Sequence, residues 1–171
     1  MSQSTTRASS APTAWMDLDN ERIRAFRPDL PRVTPDRSVQ LMRLRKEQVG
    51  RRLAALRASG RTPRIALYAR TVNGQTPVRS LTAARSFAER MAWQVGPDQE
   101  FTDCLSLTEV EDRLGWLRMK QRLASGFLDG IVAITRSDVS THLNDYEREL
   151  DWLTLHGGFI ALVHAETVVP Q

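Results

Sequence analysis

Three arginines stand where an α/β sheet would present its ligand site. Arg70 follows the short apolar run Ile65–Ala69 (IALYA), and Arg113 lies in Glu111-Asp112-Arg113-Leu114-Gly115 at the start of a helical pattern. Arg136 follows a second apolar run, Gly130–Thr135 (GIVAIT). In open α/β sheets, ligands bind beyond the C-terminal ends of the strands. Guanidinium groups gathered there beside helix N-termini suit phosphate, which they grip with charge-assisted, bidentate hydrogen bonds. The other reading of these residues is a set of surface arginines paired with Asp112 or Asp138.

Other chemistry is thinner. His142, His156 and His164 are far apart and show no metal-ligand spacing, so no metal site is expected. Cys104 is the only cysteine, which excludes an internal disulfide and a cysteine-built zinc centre. Placed after a strand, it reads as a small, inert residue. No glycine-rich dinucleotide motif and no P-loop occurs, and Asn73-Gly74 reads as a turn, so no cofactor is expected. Trp15, Trp93, Trp116 and Trp152 fall mostly at apolar helical positions and read as packing residues.

The elements that must position these groups are legible in outline. Apolar runs at Ile65–Ala69, Gly130–Thr135 and Phe159–Val163 have the length of buried strands, with a shorter candidate at Glu100–Asp103. Helical periodicity occupies Val78–Trp93, Glu111–Ser125 and Leu143–Leu155, the last closed by Gly157-Gly158. Strands alternating with helices predict a mainly parallel sheet of four to five strands, covered by helices on both faces. Upstream, Asp36 or Ser38 offers an N-cap for a helix over about 37–58, stopped by Gly60 and Pro63. The expected organisation is an irregular tail over 1–35 (disordered through residue 14), a basic amphipathic helix over 36–60 and an α/β domain over 64–171. The core of that domain is expected to be self-contained.

Charge divides the chain. Among its 171 residues, 24 basic against 20 acidic side chains give a net charge of +4. Residues 1–64 hold 14 basic and 6 acidic groups, a net of +8, and residues 65–171 hold 10 and 14, a net of −4. A basic arm on a mildly acidic domain suggests contact with nucleic acid or an acidic partner. Arg43, Arg45, Arg51 and Arg52 on the first helix are the candidate phosphate contacts. No apolar run approaches the ~20 residues of a membrane span, and the first 15 residues lack a signal-peptide core. A cytoplasmic protein with no membrane partner is therefore expected.

From Arg64 to Glu166, about 100 residues, the chain resembles the catalytic domain of the serine recombinases, the resolvases and invertases. Tyr68-Ala69-Arg70 is similar to the family's Tyr-Ala-Arg-Val-Ser, and Phe101-Thr102-Asp103 to its short second strand. Asp112-Arg113-Leu114-Gly115 resembles its Asp-Arg-x-Gly segment. Phe127–Ile134, Leu143–Gly157 and Phe159–Val163 resemble the following strand, helix and strand. The resemblance implies a three-layer α/β/α fold with an N-terminal helical extension, and partners that include DNA, a second copy or a recombinase-like protein.

The departures from the family are chemical. Serine recombinases attack a DNA phosphodiester with a serine two residues after the motif arginine, and Val72 stands there. Valine has no nucleophilic atom. Thr71 is one residue early, and successive strand side chains point to opposite faces, so it could substitute only if the strand had already ended. The family's second arginine cluster reads Asp-Arg-Leu-Ser-Arg. Keeping Asp138 in register replaces its arginines by Val139 and His142. Those arginines would stabilise charge on the transferring phosphoryl group. The resemblance also stops before the family's long dimer helix and helix-turn-helix domain, so sequence-specific reading of the usual kind is not expected from these residues. The expectation is a catalytically silent relative that binds DNA or a protein. An active DNA recombinase with a displaced hydroxyl is the first alternative, and a nucleotide or small-molecule binding domain is the second.

Overall fold

A computed structural model describes residues 36–166, apart from 73 and 108. The expectations placed on the tail (1–35, including Trp15), on Asn73 and on 167–171 lie outside the described residues. In chain order the elements are α1 (Arg37–Ala58), β1 (Arg64–Thr71), α2 (Val78–Arg90), β2 (Gln94–Cys104), a 3₁₀ turn (Val110–Asp112), α3 (Leu114–Ala124), β3 (Gly130–Ala133), α4 (Arg136–Val139), α5 (Leu143–Leu155) and β4 (Ile160–Leu162).

All strand pairs are parallel, and the order across the sheet is β2-β1-β3-β4. The central strand β1 is buried on both faces, which is why IALYA reads as an unbroken apolar run. Its residues alternate between two cores. Ala66 and Tyr68 face Trp116, Met119, Tyr146 and Leu150 of α3 and α5. Ile65, Leu67 and Ala69 face Leu81, Ala84 and Ala88 of α2. Helices on both faces of a parallel sheet make the expected three layers.

Sequence boundaries shift where tertiary pairing decides them. β2 begins at Gln94, well before the expected Glu100, because its edge tracks β1 on both sides of a register shift between Ile65 and Leu67. β3 ends at Ala133, since Thr135 leaves the strand to cap α4 with Asp138 in a capping box. The four-residue helix α4 itself was not expected from the sequence.

The larger correction concerns α1. Its span matches the sequence reading, and Asp36 caps it by accepting from the Ser38 amide at 3.1 Å. Yet Leu41 belongs to the core under α3 and α5, whereas Leu53 and Leu56 belong to the core under α2. The helix therefore laps across the β4 edge and contributes apolar side chains to both faces. Two ionic contacts, each with at least one buried side chain, fix it. Arg45 makes a bidentate pair with Glu166 at 3.0 and 2.6 Å. Arg52 reaches the Asp129 carboxylate at 3.1 Å. The apolar clusters on both faces of the sheet thus include side chains of α1, which the expectation of a self-contained domain core left out, because apolar sequence periodicity does not reveal which strand edge a helix will cover.

Candidate functional site

The strand-end residues are assembled by one buried carboxylate. Asp103, at the end of β2, accepts from the amides of Gly115 and Trp116, both at 2.8 Å, and from the Tyr68 hydroxyl at 3.1 Å. It thereby serves donors that the first turn of α3 leaves without helical partners. Gly115 is required for this approach: a Cβ there would sit 2.7 Å from the Thr102 carbonyl oxygen and 2.9 Å from Asp103 Oδ2. Burial, followed by the charge of Asp103, raises the pKa of Tyr68, so this phenol stays protonated as a donor. The sequence motif signals included Tyr68, Gly115 and the segment Phe101-Thr102-Asp103, but the bonds by which Asp103 joins Tyr68 to the start of α3 could not be read from it.

The arginines come together as the sheet topology demands, but they are turned inward. Arg113 is fully buried. Its Nε donates to the Leu107 carbonyl at 3.0 Å, and its Nη1 to the carbonyls of Asp138 and Val139 at 3.1 and 2.5 Å. Arg70 is 9% exposed and donates through Nη2 to the carbonyls of Leu105 and, at 2.8 Å, Leu107. Burial and then the like charge of Arg113 lower the Arg70 pKa. Its Nε is buried without an acceptor. A phosphate reaching Arg113 would have to displace main-chain acceptors of the loop after β2 and of α4. Arg136 lies farther along, with weak bonds at 3.5 and 3.3 Å to the carbonyls of Ser140 and Thr141. The expected pairing with Asp112 or Asp138 is not what holds Arg70 and Arg113. Asp138 instead accepts from the amide and hydroxyl of Thr135 at 2.8 and 2.7 Å.

The reacting positions also resolve. β1 continues through Thr71, which pairs with Cys104 in register and is 7% exposed. Its side chain therefore faces away from the Arg70 side of the sheet. Val72 follows the strand and is 60% exposed. Val139 is fully buried in the core beside Tyr146, whereas His142 is exposed at the start of α5. Cys104 is half-buried and accepts from the Ser106 hydroxyl at 3.1 Å, a bond that lowers its pKa. Among the described residues no cluster of three or more His, Cys, Asp or Glu side chains is arranged for a metal.

This geometry can be set beside solved structures. The N-terminal catalytic domain of TP901-1 integrase matches with a TM-score of 0.52 and 19% identity, over 58% of this chain and 76% of that one. The C-terminal catalytic domain of ISC1926 TnpA, an IS607-like serine recombinase, matches with a TM-score of 0.52 and 16% identity, over 58% and 70%. The domain has the serine-recombinase catalytic fold. No protein-family model matches the chain, and no curated protein matches it. Within this fold, Arg70 and Arg113 both donate to the Leu107 carbonyl beyond the end of β2.

The proposed DNA-contacting arginines of α1 divide. Arg43 and Arg51 are exposed, Arg51 pairing with Glu47 at 2.8 Å. Arg45 and Arg52 point inward and are bound to Glu166 and Asp129, so they are not on an outer basic face. No helix among the described residues is long and apolar enough to cross a membrane.

Proposed function

We propose that this chain is a catalytically silent serine-recombinase-like domain that acts by binding DNA or a protein, not by transferring DNA strands. The observation that carries this reading is the end of β1. Val72, two residues beyond Arg70, offers no nucleophile, and the adjacent hydroxyl, Thr71, is held in the paired strand on the opposite face. Val139 packs in the core at the place where the family carries an arginine, and Arg113 is committed to carbonyl oxygens. These features count equally against the displaced-hydroxyl alternative. Incubation of the protein with supercoiled plasmid, followed by denaturing electrophoresis, should give neither cleavage nor a covalent protein–DNA adduct. Val72→Ser should not restore either, because the transition-state cations remain absent. A phosphothreonine or phosphoserine adduct in the wild-type lane would overturn the reading.

Association with DNA through the outer face of α1 is favoured by the net +8 of residues 1–64 and by the exposure of Arg43, Lys46 and Arg57. Such binding should weaken steeply with salt, since each neutralised phosphate releases counterions. Replacing Arg43, Lys46 and Arg57 by Ala should weaken binding to all duplex sequences about equally. Salt-independent or sequence-selective binding that survives this triple change would remove α1 from the interface.

A further inference from the structure

A groove of about 780 Å³ runs between the outer edge of β2 and α3; it borders the strand-end site at Asp103 and Gly115, but Arg70, Val72 and Arg113 do not line it. One wall is the edge strand, which pairs with β1 on its inner side and with no strand on the other among the described residues. The Leu105 amide donates inward to the Thr71 carbonyl at 2.7 Å. Alternation along the strand then turns the main-chain groups of Glu100 and Thr102 outward. The first turn of α3 covers the Thr102 carbonyl, as the close approach of Gly115 shows. The Glu100 amide and carbonyl and the Thr102 amide remain on the open side.

The opposite wall is α3 and the residues after it. Leu114 and Phe127, each 65% exposed, place apolar surface at its two ends. Between them stand Arg118 and Arg122. Arg118 has no acceptor among the described residues. Arg122 lies over the Phe101 ring, 5.7 Å from its centroid, and uses Nη1 on the Asp98 carbonyl at 3.0 Å. The carboxylates of the groove are already engaged: Glu100 pairs with Arg85 at 2.8 Å, and Asp103 is buried under α3. The uncommitted charge in the groove is therefore positive.

We propose that this groove binds an extended, acidic peptide segment of a partner protein, which adds a strand to β2 and places its carboxylates against Arg118 and Arg122. The edge supplies backbone hydrogen bonds, and the helix supplies side-chain selection, the division of labour found where peptides augment a sheet. The open amide and carbonyl groups of the edge match another peptide backbone better than a nucleic acid strand, which carries no alternating amide and carbonyl groups to pair with them. The inference rests on the binding reading only for its biological sense. Adduct formation on plasmid would overturn that reading and leave peptide binding intact.

The test uses the full chain, ¹⁵N-labelled, and a synthetic eight-residue peptide alternating valine and glutamate. A valine–lysine peptide, an oligothymidylate and two N-methylated versions of the acidic peptide, one per strand edge, serve as comparisons. The acidic peptide should shift the amides of residues 100–104 and 114–122 saturably, and the lysine peptide should not. N-methylation of one edge should abolish binding while the other edge is tolerated, because a strand uses one edge at a time. Arg118→Glu, at an exposed position, should weaken the acidic peptide about tenfold by replacing attraction with repulsion. Equal binding of both N-methylated peptides, preference for oligothymidylate, or indifference to Arg118→Glu would each overturn the proposal.

Discussion

Replacing Asp129 by Asn should loosen α1 from the sheet. The carboxylate sits just before β3, with its side chain 2% exposed. It accepts from Arg52 Nη2, Arg61 Nη2, Arg64 Nε and the Arg64 amide, all at 3.1 Å. Burial alone would raise its pKa, but the bonds from Arg64 and the charges of Arg64 and Arg61 hold it below the usual carboxylate range. An amide of the same shape keeps one acceptor oxygen and turns an NH₂ group toward guanidinium donors. A buried charged hydrogen bond is worth ~1.5–3 kcal/mol, and removing one partner of a fully buried pair costs ~3–5 kcal/mol. Here the arginine side chains are 29–48% exposed and can rehydrate, so the upper figure does not apply. The expected loss is about 2–3 kcal/mol, or a fall in Tm of about 6–9 °C for a domain of this size. Thermal unfolding followed by circular dichroism across pH measures it. Because the folded-state pKa is depressed, the stabilisation is present above the unfolded value of ~3.9 and disappears as pH falls through the folded one. The wild-type and Asp129→Asn curves should therefore converge in acid. A difference below about 2 °C at neutral pH, or one that persists undiminished in acid, would refute the reasoning.

Deleting residues 1–60 should abolish cooperative unfolding and the near-ultraviolet dichroism of the core, since Leu41, Leu53 and Leu56 complete both apolar clusters; each such buried side chain contributes ~1.5–3 kcal/mol against a total stability of only ~5–15 kcal/mol. Arg113→Met should cost about 3 kcal/mol or more by leaving the carbonyls of Leu107, Asp138 and Val139 without their donor, and hydrogen exchange should accelerate in the loop after β2 and in α4. Gly115→Ala should lower stability by ~1–3 kcal/mol in chemical denaturation, because its methyl meets the Thr102 carbonyl at 2.7 Å.

The layered α/β architecture was legible in the residues themselves. Runs such as IALYA and GIVAIT are too uniformly apolar for a half-exposed strand, and their alternation with helical segments leaves a parallel sheet as the economical way to bury them. The spans of α1 and α5 followed from their end signals, including Gly157, whose φ of +68° suits glycine at a helix exit. The absence of a hydroxyl at Val72 is also a fact of sequence, because no fold can supply an atom the side chain lacks. What the arginines do was decided only by the tertiary structure. Arg113 and Arg70 are spent on main-chain carbonyls up to 37 residues away, and Arg45 on Glu166, 121 residues on. A guanidinium offers five donors and is charged in every setting, so its residue type cannot say whether it faces a phosphate, a carboxylate or the protein's own backbone. The fate of Thr71 likewise waited on pairing, since one further residue of ladder with Cys104 fixes the face to which its hydroxyl points.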